Sequence, residues 1–298
     1  MAATASSARR AEIRARLGAA LLALSLAGLG AVARADEAAV ERGAVIAGLG
    51  ACAACHTAKG GEPLAGGDPL VTPLGTFHPP NITPDPQAGI GAWSEADFVR
   101  AMREGLAPDG SPYYPAFPFP WYAHLSDGDL ADLWAFLRAQ PASSRVVPDN
   151  ELPFPLSLRS GLWVWRALFL GTERLAPVPD RSEAWNRGRY LAESAGHCGA
   201  CHTPRTYGGF GAPDRSRPFA GNAKGSLVGA VPAITPDANG IGGWSLGELT
   251  SFFAIGMTSE GDFVGGEMAK VIEGGTSRLS AEDRRALATY LKEGPAPP

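Results

Sequence analysis

Cys52-Ala53-Ala54-Cys55-His56 and Cys198-Gly199-Ala200-Cys201-His202 contain every cysteine of this 298-residue chain. Both stretches read C-x-x-C-H, the pattern that attaches a c-type haem through two thioethers. On one helical turn the two sulfurs point the same way, toward the two vinyl groups on one edge of a porphyrin, and the next residue supplies an imidazole for the iron. A thioredoxin-like redox pair or half of a zinc site would also use C-x-x-C. Neither explains a histidine placed directly after both pairs, nor does any cysteine remain for a disulfide or a further metal ligand. The expected cofactors are therefore two covalently bound haem c groups, with Cys52, Cys55, Cys198 and Cys201 as anchors and His56 and His202 on iron.

The N-terminus has the layout of a secretory signal. Arg9, Arg10, Arg14 and Arg16 precede an apolar run from Leu17 to Leu29, and Ala33-Arg34-Ala35 offers a small-residue cleavage site. A retained membrane anchor is the alternative, but the run falls short of the roughly 20 residues that span a bilayer. Cleavage after Ala35 would remove five arginines and one glutamate, leaving 21 basic against 29 acidic residues and a formal charge of −8. An acidic chain of this kind is unsuited to nucleic acid and suited to partners with a basic patch. Covalent haem attachment takes place outside the cytoplasm, so the expected location is the bacterial periplasm.

The two motifs lie 146 residues apart, and their surroundings repeat. Arg42-Gly43 matches Arg187-Gly188 upstream. Downstream, Asn81-Ile82-Thr83-Pro84-Asp85 matches Ala233-Ile234-Thr235-Pro236-Asp237, and Gly89-Ile90-Gly91-Ala92-Trp93-Ser94 matches Gly240-Ile241-Gly242-Gly243-Trp244-Ser245. Ser94 and Ser245 are placed to cap a middle helix. Ser126 and Ser280, each three residues before an aspartate, are placed to cap a final one. Leu130, Leu133, Trp134 and Leu137 recur at helical spacing in the first copy, as do Leu287, Tyr290 and Leu291 in the second.

On these blocks each copy resembles a class I cytochrome c domain, and the pair resembles the dihaem members of the alcohol-dehydrogenase-type cytochrome c subunit family. The resemblance implies an all-α fold of two tandem domains, residues 36–143 and 183–298, following the signal segment 1–35 and separated by a linker, 144–182. It also implies that the last helix of each domain crosses the first, with Gly43 facing the Phe136 helix and Gly188 the Tyr290 helix. The linker holds the apolar stretch Leu162–Leu170 with two tryptophans. Packing against both domains is the simpler expectation for it, and a peripheral membrane or partner contact the alternative.

The copies differ at the sixth iron ligand. Methionine commonly fills that place in electron-carrying haems and raises their potential. Met268 lies 24 residues after Trp244, in a stretch that reads as a loop, and the resemblance makes it the ligand of the second haem. The same count from Trp93 lands on Phe117, which has no lone pair for iron. His78, His124, another group or none are open for the first haem, while Met102 and Met257 fit packing roles and His197 a surface or haem-edge position. No residue pattern marks a catalytic nucleophile. The resemblance implies an electron carrier between a dehydrogenase and a cytochrome or oxidase of a respiratory chain. A haem enzyme, acting on peroxide or a sulfur compound at an open first haem, is the alternative.

Overall fold

The computed structural model describes residues 37–171, 174–206, 212–226 and 229–295, so the signal segment 1–35 lies outside the described residues. In chain order it builds α1 (37–49), α2 (Cys52–His56), a ribbon of β1 (Leu70–Thr72) and β2 (Gly75–Phe77), α3 (Glu95–Glu104), α4 (Phe119–Tyr122) and α5 (Asp127–Arg138). α6 (Gly161–Phe169) follows in the connection. The second unit then repeats the plan as α7 (Glu183–Glu193), α8 (Cys198–His202), a ribbon of β3 (Asn222–Ser226) and β4 (Gly229–Val231), α9 (Leu246–Ile255), α10 (Gly266–Gly274) and α11 (Ala281–Glu293). The architecture is all-α as expected. Two antiparallel ribbons occupy loops that carry no alternating signature.

The helices begin where their serines place them. Ser94 and Ser245 each accept from the backbone N–H three residues on, and Asp97 and Glu248 accept in return from the serine N–H, which completes a reciprocal box at both middle helices. Ser126 and Ser280 accept from Asp129 and Asp283 N–H groups in the same way, but these two aspartates do not bond back. Asp283 instead holds the Arg187 guanidinium in a fork (2.7 and 2.9 Å), and Asp129 accepts from the Tyr190 hydroxyl of the other unit.

Each unit closes by crossing its first helix over its last. A Cβ added to Gly43 would lie 2.0 Å from the Asp132 carbonyl oxygen of α5, and one added to Gly188 would lie 2.0 Å from the Ala286 carbonyl oxygen of α11. Phe136 and Tyr290 stand at the same places beside them, their Cβ atoms 2.7 Å from the added atom in both cases. Only a hydrogen fits these gaps, so the two backbones meet without a side chain between them. Leu130, Leu133 and Leu137 of α5 and Leu287, Tyr290 and Leu291 of α11 are buried, as their spacing indicates, and Trp134 stacks on Phe98 of α3 at 5.1 Å.

The two units share one contiguous apolar core. Their contact is reciprocal. Trp121, just after Phe117 in the first unit, lies on α8, where a Cβ on Gly199 would sit 2.3 Å from the edge of its indole. In the other direction α10 packs against α2, and a Cβ on Gly48 would meet the Gly274 carbonyl oxygen at 2.3 Å. The connection touches both units: Glu151 pairs with Thr76, Trp165 meets Phe119 at 6.2 Å, and the Ala176 carbonyl accepts from Arg189 at 3.1 Å, although the apolar stretch expected to do the packing leaves Trp163, Val164 and Leu168 50%, 63% and 69% exposed.

Candidate haem-attachment sites

α2 and α8 are single turns, each entered through a left-handed residue that is not glycine, Ala51 (φ 51°) and His197 (φ 33°). This kink turns the chain sharply out of α1 or α7 and starts the new turn at the first cysteine. Burial pushes the Cys52 and Cys198 thiols up to about 12, so at neutral pH they are S–H groups, and with Cys55 and Cys201 they would anchor the two haems through thioethers.

The two histidines are held alike. His56 Nδ1 lies 2.7 Å from the Pro80 carbonyl oxygen, and His202 Nδ1 lies 2.8 Å from that of Pro232. A carbonyl only accepts, so Nδ1 carries the hydrogen and the Nε2 lone pair is left for a metal. Burial, opposed by the carbonyl bond, lowers both imidazoles below the usual histidine range and so favours the neutral form a ligand needs. Such a bond to the second nitrogen fixes both the tautomer and the ring orientation of a ligating histidine. Each motif thus offers two sulfurs and one oriented imidazole nitrogen on a single turn, a donor set that fits covalently attached haem. Pro80 and Pro232 escape a search for side-chain donors because they act through backbone. The signal was available nonetheless, since both directly precede the repeated Ile-Thr-Pro-Asp block by two residues.

Asn81 explains how the first carbonyl is kept in place. Buried, it donates to the Ser143 and Arg145 carbonyls (2.7 and 3.0 Å) and accepts from the Thr83 N–H and hydroxyl (2.9 and 2.7 Å). The loop that carries Pro80 is thereby tied to the chain leaving α5. Ala233, its counterpart, has no side-chain group to do this. Asn81→Ala is expected to cost about 2–3 kcal/mol, because it strands buried donors and acceptors, and a urea titration followed by tryptophan fluorescence reads it.

Met268 is half-buried on the first turn of α10 and packs on the core, so it stands on a helix where a loop was expected; Gly265 and Gly266 precede it and α10 continues through apolar Val271 and Ile272. Phe117 lies in an aromatic cluster with Tyr113, Phe119 and Tyr122 at 5.7, 6.1 and 5.7 Å. His78 is committed to the connection: its backbone N–H donates to Asn150 and its Nε2 lies 3.0 Å from a Glu151 carboxylate oxygen. His124 is half-buried, and Met102 is buried in α3. His197 does not stand at the surface. Its Nε2 is 3.3 Å from the Gly50 carbonyl, which also accepts from the Tyr122 hydroxyl (2.9 Å), and its ring meets Tyr122 edge-on. His197 therefore joins the entrance of one motif to the entrance of the other.

An all-α chain with two such turns is by construction a covalent haem protein of the c type. The cytochrome c family profile matches residues 40–141, which hold the first turn. A dihaem c-type cytochrome of Cereibacter sphaeroides is 44% identical over 261 residues, 86% of either chain. The gluconate 2-dehydrogenase cytochrome c subunit of Pantoea cypripedii is 39% identical over 289 residues, and the cytochrome c subunit of the alcohol dehydrogenase (quinone) of Gluconobacter oxydans is 40% identical over 278 residues. The matches cover 91% and 89% of this chain but only 64% and 56% of those subunits. The chain belongs to the dihaem c-type cytochromes, carries two covalently bound haems and transfers electrons.

Proposed function

We propose that the chain is a periplasmic carrier that takes electrons from a dehydrogenase and delivers them to a cytochrome or oxidase of a respiratory chain. The observation that carries this is the duplicated Nδ1-to-proline bond at His56 and His202 in two units packed directly on each other. Cys52 and Cys55 hold the first haem and Cys198 and Cys201 the second; His56 and His202 ligate the irons, and Met268 completes the second site. The haems supply one-electron redox couples. What the protein contributes is orientation of the imidazoles, apolar walls, and a short path between the sites through the Trp121 and α10 contacts. Haem ligation and burial are the main protein controls on potential, so a site with methionine and one with Phe117 at the matching position should differ. The dehydrogenase donor is supported by the names of the relatives from Pantoea cypripedii and Gluconobacter oxydans.

Spectroelectrochemical titration of the dihaem protein tests this, together with addition of cyanide and peroxide. Two separate one-electron waves and no peroxide turnover are expected. Turnover of peroxide at a high-spin first haem would overturn the carrier assignment in favour of a haem enzyme. N-terminal sequencing of the exported protein checks the location, with Asp36 expected as the first residue.

A further inference from the structure

The turn after α3 and the turn after α9 are the same device. Each opens on a left-handed glycine, Gly105 or Gly256, whose carbonyl accepts from the N–H eight residues on, Tyr113 at 2.8 Å or Val264 at 2.9 Å. Each is closed by one bridge, Leu106 with Pro112 and Met257 with Phe263.

Their surroundings differ. In the first unit the connection lies over the turn: the Tyr114 hydroxyl donates to the Leu156 carbonyl (2.8 Å), and Arg159 donates to the Ser111 hydroxyl (3.3 Å) while its guanidinium sits over the Tyr114 ring. Pro112 is buried there. In the second unit Phe263, the counterpart of Pro112, is 71% exposed, and Ile255 and Met257 are 56% and 38% exposed. Glu260 and Asp262, at the places of Asp109 and Ser111, are exposed as well. So the position where Arg159 finds a hydroxyl in one unit offers a carboxylate in the other, beside three bare apolar side chains.

We propose that the Gly256–Val264 turn is a docking surface for a short segment of a partner protein that carries an arginine or lysine among apolar residues, the chemistry the connection presents to the first unit. The apolar side chains supply area to bury, and the two carboxylates favour a basic occupant over an acidic one. The turn rests on the helix that carries Met268, since a Cβ on Gly256 would lie 3.6 Å from Ile272 of α10. α10 in turn packs against α2, so a partner seated here would be joined through one helix to a haem-attachment turn, a purpose that depends on the electron-carrier assignment although the recognition chemistry does not.

A labelled synthetic peptide with the sequence of residues 152–165, in which Arg159 is the one arginine and is flanked by apolar residues, is the probe. It is titrated into the full dihaem protein and followed by fluorescence anisotropy at low and high salt. Saturable binding is expected, weakened about tenfold or more by Phe263→Ser, by the pair Glu260→Lys with Asp262→Lys, by alanine at the peptide's arginine, and by salt. Absence of saturable binding, or binding indifferent to both sets of protein substitutions, overturns the proposal. Concentration-dependent dimers in sedimentation that Phe263→Ser abolishes would assign the turn to a second copy of the chain, and so overturn it too. Both haem potentials are measured in Phe263→Ser; they should be unchanged, so a failure here is separable from a failure of the carrier assignment.

Discussion

Gly188→Ala is expected to destabilise the second unit by about 3 kcal/mol, the upper end of the usual overpacking cost, and to lower the haem content of the purified protein toward one per chain. On propensity alone the substitution should help, since alanine is favoured over glycine inside a helix by about 1 kcal/mol. Packing reverses the sign. The new methyl would sit 2.0 Å from the Ala286 carbonyl oxygen and 2.7 Å from the Tyr290 Cβ. Neither neighbour is the flexible end of a side chain, so α7 and α11 must separate along their whole contact, and with them go the Trp185–Tyr290 edge-on pair at 5.1 Å and the Arg187–Asp283 fork. Gly247→Ala is the internal control. It also lies in a helix, α9, but its added methyl meets only the Ser245 hydroxyl oxygen at 3.9 Å, so a gain of up to about 1 kcal/mol is expected. Chemical denaturation and pyridine haemochrome quantification measure both. If Gly188→Ala and Gly247→Ala shifted the midpoint in the same direction, the close crossing would not be what decides the stability of this unit.

Met268→Ala is expected to lower one haem potential by about 0.1 V or more, within the roughly 0.8 V over which axial ligands set haem potentials, and to leave the other where it was. A thioether stabilises ferrous over ferric iron, so its loss lowers the potential rather than raising it. Alanine is a strong helix former, and α10 should survive the exchange. Loss of the thioether-to-iron charge-transfer band, with the spectrum of the first haem unchanged, is the matching optical signature. Equal shifts of both potentials would refute the assignment of Met268 to a single haem. Met268→His provides a further check, because a nitrogen ligand should keep the second iron low-spin while still moving its potential down.

Much of the fold was legible in the sequence for local reasons. A serine three residues before an acid and just ahead of an apolar-periodic run marks a helix start, and Ser94, Ser126, Ser245 and Ser280 all provide one. Gly43 and Gly188 stood out because both copies place a costly helical glycine after an arginine about ten residues before the motif, and the family resemblance gave them their crossing role. Met268 was misjudged as a loop residue because the glycines before it read as a break. They lie at the start of α10, where Gly266 has φ 62° and so takes up the turn that leads into the helix. A surface position for His197 failed for a different reason: its partners, Tyr122 and the Gly50 carbonyl, lie in the other unit, and no spacing in one unit reports on a surface of the next.

The attachment chemistry of this protein was determined by sequence alone, since thioether anchoring and the first iron ligand need only five consecutive residues on one turn. The helix starts followed from short-range spacing and from duplication, and the two crossings from the family resemblance. Tertiary structure alone decided how Trp121 and α10 bring each unit onto the motif of the other, and why one apolar turn is covered while its twin is open. Each of these joins groups many residues apart through backbone atoms or through contacts between units. Neither leaves a periodic mark on the chain, and only folding brings the partners together.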